Sequence, residues 1–473
     1  MALPDNNLMA AIAATRFGLG AMPGEIEATR SDPQGFLKAQ IRRQGADQPP
    51  GPLPSGYERL TEFRDYQRER QEERQMLAKN PEKAQATLAA GIKKEANGVQ
   101  EEFLARSQLA MTTQAAFRER WTAFWADHFT VSAVKGASAN QSGPFEREAI
   151  RPHVFGRFED MLIASSTHPG MLLYLDQAQS VGPNSQQVQQ SRLRPAAFRS
   201  ATARPQAGLN ENLAREIMEL HSVGLGAHYS QADVTEFARA MTGLSIGGQR
   251  DGSYANRVVF RDPTHEPGTR TVMGKRYSEP GAQQPVAVMR DLAANPATAN
   301  HIAVKLARHF VSDDPPKALV DRLQKTFIDS KGDLALVAAA LIDSPEAWAT
   351  PQGKFKTPYD FVVSSYRAAG QPPRNPMQLI GQLNQLGQRP FSAPSPKGWP
   401  DDAATWAAPD QIVKRMAWSQ NFAAQNASLE PVKVAQASLG PRLTAPVQSA
   451  ILAAESRPEG LAILLMSPEF QRR

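Results

Sequence analysis

Apolar residues recur at helical spacing along almost the whole of this chain, and its helix starts are written in residues that permit little else. Asn295-Pro296, Thr357-Pro358 and Asn375-Pro376 each set a capping side chain before a proline, the arrangement expected at a first helical turn. Ser230-Gln231-Ala232-Asp233 is a capping-box variant that opens another helix, and Ser-Pro-Glu at 344–346 and 467–469 is good chemistry for a helix start after an apolar helix. Strand-like alternation is confined to Tyr254–Phe260 and Thr269–Tyr277, which are expected to pair as one hairpin within 254–277. The predicted fold is mainly α: one large, bundle-like multi-helix domain over 1–473, with one small β-hairpin and a long flexible insertion.

Two segments interrupt the pattern. Residues 45–56 are rich in Pro and Gly and read as a loop, and the charged stretch from Glu62 to Glu102 reads as exposed helices around a break at Asn80-Pro81. Residues 177–208 are rich in Gln, Ser, Arg and Pro with almost no apolar periodicity, so they read as a flexible insertion or a lid.

With 41% hydrophobic residues the chain can bury a large core, and a formal net charge of +6 is small for 473 residues. No Lys/Arg run is interleaved with aromatics, so no nucleic-acid partner is expected. The absence of cysteine excludes disulfides, thiolate metal sites and cysteine nucleophiles. The first residues show no charged segment leading into an apolar one, and no stretch approaches 18 uninterrupted apolar residues, so neither a signal peptide nor a transmembrane segment is expected. The hydrolase elbow, phosphate loop, dinucleotide fingerprint and His-Glu-x-x-His zinc motif are missing, and no nucleotide-like cofactor is expected. Arg16-Phe17-Gly18-Leu19-Gly20 follows a helical run and reads as a helix end.

The chemistry concentrates in two stretches. In a helix expected from about Glu101 to His128, Phe117, Trp121, Phe124, Trp125 and His128 share one face, so His128 joins a buried stripe. It reads either as a core histidine bonded at a helix end or as a metal ligand or general base, with Asp127 beside it. The second stretch runs from Asn210 to Leu225. At 100° per residue, Leu213, Ile217 and Leu220 form its apolar stripe, Asn212, Glu216 and Glu219 a flanking row, and His221 the opposite edge. That row could hold a hard cation, orient an arginine such as Arg215, or face water. Asp176 lies before the insertion and His265 in a turn-rich connection, so a divalent-metal set would draw on His128, Glu216, His265 and Asp176. His301, Lys305, Arg308 and His309 read as a solvent-exposed basic flank.

Taken together, these landmarks resemble the bacterial family called domain of unknown function 1800. The resemblance is carried by Ala14-Thr15-Arg16-Phe17-Gly18, Phe124-Trp125-Ala126-Asp127-His128-Phe129, Asn210-Glu211-Asn212 through Glu219-Leu220-His221, and the run from Thr235 to Gly243. It continues through His265, Ala303 to Phe310, Lys397-Gly398-Trp399-Pro400 and Ser467 to Arg473. Leu244 and Ala126 depart from the family's usual Trp and polar residue, the latter removing one candidate ligand beside His128. The resemblance implies association with an exported partner of the family called domain of unknown function 1501, and hence a cytoplasmic protein or one carried to the periplasm by that partner. The leading expectation is an accessory or partner-binding protein with a buried polar centre of His128, Asn212, Glu216, Glu219 and His221. The alternative is a metal-assisted hydrolase, and a third reading is a surface-associated binding module.

Overall fold

The structure is a computed structural model, and it describes residues 3–77, 98–193, 208–349, 353–373 and 375–473. Helices dominate it, and many begin where the sequence marks them. Asn295 Oδ1 accepts the Ala297 N–H at the start of Pro296–Phe310, and Thr357 caps Pro358–Ala369 through the Asp360 N–H. Ser230 and Asp233 close a reciprocal capping box at the head of Gln231–Met241. Asn375 bonds the Met377 N–H, so that helix starts after the proline, at Met377–Gln385.

Three elements differ from the sequence expectation. The single hairpin is replaced by two antiparallel pairs: β1 (Leu244–Ile246) with β2 (Val258–Phe260), and β3 (Arg270–Val272) with β4 (Lys275–Tyr277). Met273 (φ 47°) and Gly274 (φ 79°) both lie at positive φ between β3 and β4, as a tight two-residue hairpin turn requires, so β4 folds back on β3 and β2 pairs upstream. The long helix to His128 is two helices, 98–112 and Ala116–His128, because Thr113 turns its hydroxyl onto the Ala115 N–H and Gln40 Oε1 accepts the Phe117 N–H at 2.9 Å. The expected insertion is structured over 177–193, with a 3₁₀ turn at Gln177–Gln179 and a helix at Gln186–Leu193. Buried Gln177 donates to Met241 O, and Asn184 bonds Glu266 through both its backbone and its amide, which ties this stretch down. Residues 194–207, and the break at Asn80-Pro81, lie outside the described residues.

The Pro/Gly stretch is a loop as far as residue 55, and its Ala46 N–H bonds Arg151 O before the charged helix Gly56–Leu77 begins. Among the described residues no helix is long and apolar enough to cross a membrane.

Apolar side chains gather in two large clusters. One surrounds Phe17, Phe117, Trp121, Trp125, Phe310 and Trp348; the other surrounds Phe361, Trp418, Phe422, Leu464 and Phe470. Neighbouring residues split across the seam: Phe17 belongs to the first and Leu19 to the second, as do Phe117 and Ala116.

Buried arginines close that seam, each reaching carbonyls at a chain turn or helix end that have no helical donor of their own. Arg16 donates to Ala347 O (2.6 Å) and Ala349 O (2.8 Å), and Arg120 to Gly18 O (2.5 Å) while pairing with Asp360. Arg442 reaches Thr15, Glu469 O and Arg472 O, joining chain segments more than four hundred residues apart. Arg367 bonds Gly20 O, Ala110 O and Thr113 O and pairs with buried Glu25 at 2.9 Å. Replacing Arg367 by Met would leave three carbonyls without their guanidinium donor and strand Glu25 without its cation. Urea denaturation of Arg367→Met should show a loss of about 3–5 kcal/mol, the usual cost of breaking a buried pair; a loss below about 1 kcal/mol would contradict this role.

Candidate functional site

The helix carrying the most polar sequence changes its winding part-way. Asn212–Glu216 is α-helical and Ile217–His221 continues as a π-helical turn, one residue wider per turn. The wider turn rotates His221 inward, fully buried beside Ile217 and Met218, and leaves Leu220 only half-buried, which the 100° wheel could not anticipate.

The π turn ends with carbonyls that need donors, and four of them find one. Ser222 Oγ donates to Ile217 O (2.6 Å) and the Gly224 N–H to Met218 O (2.9 Å). His301 Nε2 lies 3.0 Å from Leu220 O, and His128 Nε2 lies 3.2 Å from His221 O. A carbonyl only accepts, so both histidines carry their proton on Nε2, and Nδ1 of His128 is left as an acceptor. Lys305 Nζ fills that position at 2.9 Å. Burial first, then the charge of Lys305, hold His128 well below its ordinary pKa, and the same causes bring His221 to about 3 and His301 to about 4. All three rings are therefore neutral at pH 7. Among the described residues the His221 ring has no hydrogen-bond partner on either nitrogen, and it lies 5.1 Å from the Phe129 ring, centre to centre.

Lys305 faces a cavity of about 560 Å³ that opens along the seam between the two apolar clusters. Phe124, Val131 and Lys305 line one side, Phe103, Tyr359 and Leu383 another, and the loop Lys397-Gly398-Trp399-Pro400-Asp401 a third. Burial lowers the pKa of Lys305 to about 8 against the opposing pull of Asp127, while Lys397 lowers it further. Burial likewise raises Asp127 to about 6, partly offset by the Trp399 N–H, which donates to Asp127 Oδ1 at 2.8 Å, and by Lys305. The two groups feel each other's charge but form no direct ion pair.

Other charges in the wall are already committed. Asp401 accepts from His309 Nδ1 (2.8 Å) and Arg473 (3.1 Å) and lies beside Lys354, Asp360 pairs with Arg120 and Arg473, and Arg106 pairs with Glu146. Among the described residues the exposed Lys397 and Arg389 have no side-chain partner, and exposed Arg308 uses only its Nε, on Asp313 O. The cavity thus presents three cations at its rim with most of their donors free, and a fourth, Lys305, within.

The candidates read from sequence divide accordingly. His128, Asp127 and His221 come together, with the His128 and His221 ring centres 6.0 Å apart. The carboxylate row does not share their burial. Asn212 is exposed, Arg215 pairs with Glu211 and Glu219 across the helix surface, and half-buried Glu216 sits near Tyr174, whose pKa burial and this carboxylate raise to about 12. Asn210 fixes the segment's entry, bonding Leu175 O through its amide and the Asn212 N–H through its Oδ1. Asp176 pairs with Lys135, and His265 Nδ1 bonds Thr242 O at 2.8 Å. Among the described residues no three His, Asp or Glu side chains converge to hold a metal ion, so the set His128, Glu216, His265 and Asp176 is not assembled.

Sequence reasoning read His301 and Lys305 as a solvent-exposed basic flank and Lys397 and Trp399 as family landmarks, and placed none of them at the site. The expected basic flank of helix Pro296–Phe310 is instead a covered face: His301, Lys305 and His309, spaced i, i+4 and i+8, bond Leu220 O, His128 and Asp401. That spacing, together with the Lys-Gly-Trp-Pro motif, was the available signal.

The match of a family model decides the relationship. The model described as protein of unknown function (DUF1800) covers residues 12–472. The chain belongs to that family. No curated protein and no solved structure matches it. In this member of the DUF1800 family, the motif residues Asp127, His128, His221, Lys305 and the 397–400 loop surround or support one cavity.

Gly398 sets the distance between the loop and the aromatic helix. It stands at φ +89°, and a Cβ there would lie 2.6 Å from both Asp127 O and Asp127 Oδ2. Gly398→Ala should therefore cost about 1–2 kcal/mol from the left-handed backbone alone and more from the clash, as measured by urea unfolding; an unchanged midpoint would contradict the close approach.

Proposed function

We propose that the protein binds a small anionic molecule in the seam cavity, with Lys305 and Asp127 as the acid-base pair that meets it. The observation that carries this reading is Lys305 itself: a lysine in a cavity wall whose ammonium donates to a neutral histidine and has no contacting carboxylate. A half-buried cation with no carboxylate in contact is costly, and a ligand that brings a carboxylate or phosphate supplies the contact that the protein leaves open. Lys397, Arg389 and Arg308 at the rim add attraction of the same sign, and the Trp399, Phe124 and Tyr359 side chains offer apolar wall for the rest of the ligand.

His128 and His301 serve as positioning residues in this reading. Their bonds fasten the π turn to two helices and aim Lys305 at the cavity. The donor set favours this over metal-assisted hydrolysis, since both ring nitrogens of His128 face protein partners. An accessory role remains compatible: the ligand is then what the protein holds for, or takes from, a partner such as an exported protein of the family called domain of unknown function 1501.

The pH dependence follows from two shifts of opposite kind. Asp127 gains a negative charge as pH rises through about 6, and Lys305 loses its positive charge as pH rises through about 8. Lys397, Asp401 and Arg308 also face Lys305, and His128 contacts it, but His128 stays neutral throughout. Both steps disfavour an anion. Calorimetric titration with lactate, whose charge is constant over this range, should show affinity falling in two stages. Each is expected at roughly 1 kcal/mol, or about fivefold, for one unit charge across several ångströms of partly wet protein. Lys397→Ala should weaken binding at every pH; no measurable anion binding, or affinity that rises with pH, would overturn the reading.

A further inference from the structure

Charge alone does not account for how Lys305 is placed. An anion anchor works best as a fully protonated cation, and the exposed Lys397 and Arg389 already fill that role at the rim. Lys305 instead sits inside the cavity wall, its Nζ 2.9 Å from the acceptor nitrogen of a neutral histidine, with a half-buried carboxyl, Asp127, in the same wall. An amine held by an acceptor, out of ion-pair contact with a carboxylate, and sharing its cavity wall with a carboxyl that can carry a proton is arranged for nucleophilic attack.

We propose that Lys305 forms a reversible covalent imine with the carbonyl carbon of a small 2-oxo acid bound in this cavity. The inference rests on the anion reading, since the rim cations would hold the ligand's carboxylate and so bring its adjacent carbonyl to Nζ. Lys305 first gives up a proton, which the Asp127 carboxylate takes up by way of solvent in the cavity. With the two groups about two pKa units apart, that neutral pair is roughly one molecule in a hundred at equilibrium, which is sufficient for a slow covalent step. The nitrogen lone pair then attacks the carbonyl carbon, the C–N bond forms, and the C=O π electrons move to oxygen. A proton moves from nitrogen to that oxygen to give the carbinolamine. The Asp127 carboxyl protonates the hydroxyl, water leaves, and the nitrogen lone pair completes the C=N bond as a protonated imine beside the newly ionised Asp127. No oxidant or reductant is consumed. His128 acts as a positioning residue that keeps Nζ pointed at the cavity.

The full-length chain is incubated with pyruvate or the smaller glyoxylate, reduced with borohydride, digested, and mapped by mass spectrometry. The expected result is a saturable adduct on Lys305 at least about tenfold above that on exposed Lys397 or Lys317. Lys305→Arg, which keeps a cation and removes the primary amine, should lose the adduct, and Asp127→Asn should slow its formation, with folding of each variant checked by thermal unfolding. Lactate, which has the carboxylate and lacks the carbonyl, is titrated in parallel. If lactate binds and Lys305 is labelled no more than surface lysines by either oxo acid, the imine is overturned and the anion site stands. If neither lactate nor an oxo acid binds, both fall. Labelling of Lys305 that lactate does not compete away would also overturn the proposal, because the reaction would then be independent of the bound anion.

Discussion

Buried guanidinium groups that need carbonyls are the constraint on which this fold depends. A helical chain of this length ends many helices, and each end leaves carbonyls without donors. Arg120 and Arg442 answer that need across the seam between two apolar clusters, and Arg16, Arg367 and Arg415 answer it beside the seam, each fully or almost fully buried and each bonded to backbone oxygens of a distant segment or, for Arg120 and Arg367, to a carboxylate as well. Neither cluster could slide past the other without exposing several of these groups unpaired. The seam is consequently fixed, and a cavity left within it keeps a defined shape.

The same logic at smaller scale builds the site. A π turn at Ile217–His221 leaves Leu220 O and His221 O pointing inward, and two histidines from two other helices supply the donors. Because a carbonyl fixes the proton on Nε2 of His128, the remaining nitrogen must accept, and Lys305 is the donor it meets. A helix irregularity is thereby converted into the orientation of one amine. Glycine at 398 lets the opposing loop approach Asp127 closely enough for the Trp399 N–H to bond its carboxylate, completing the wall opposite.

The helix starts were legible because capping is local: Ser230, Asn295 and Thr357 bond N–H groups within three residues of themselves. Burial of the stripe from Phe117 to His128 was legible for the same reason, since regular helical spacing carries it. Strand pairing was not, because whether Val258–Phe260 turns to an earlier or a later partner depends on the positive φ at Met273 and Gly274. The inward place of His221 was hidden by a wheel that assumes regular winding, which the π turn breaks. His301, Lys305 and His309 were visible as one helix face, but a face reads as exposed until the elements that cover it are known. Here those elements are the π turn and the 397–401 loop, both remote in sequence.

The account turns on Lys305 being an enclosed, depressed amine at an anion-accepting cavity. Nuclear magnetic resonance titration of lysine ε-carbons, with Lys305 assigned through Lys305→Arg, measures this directly. The account predicts one resonance titrating near pH 8, against an ordinary value of about 10.5, and moving upward when a carboxylate ligand is added. A Lys305 signal that titrates with the surface lysines and ignores the ligand would contradict it.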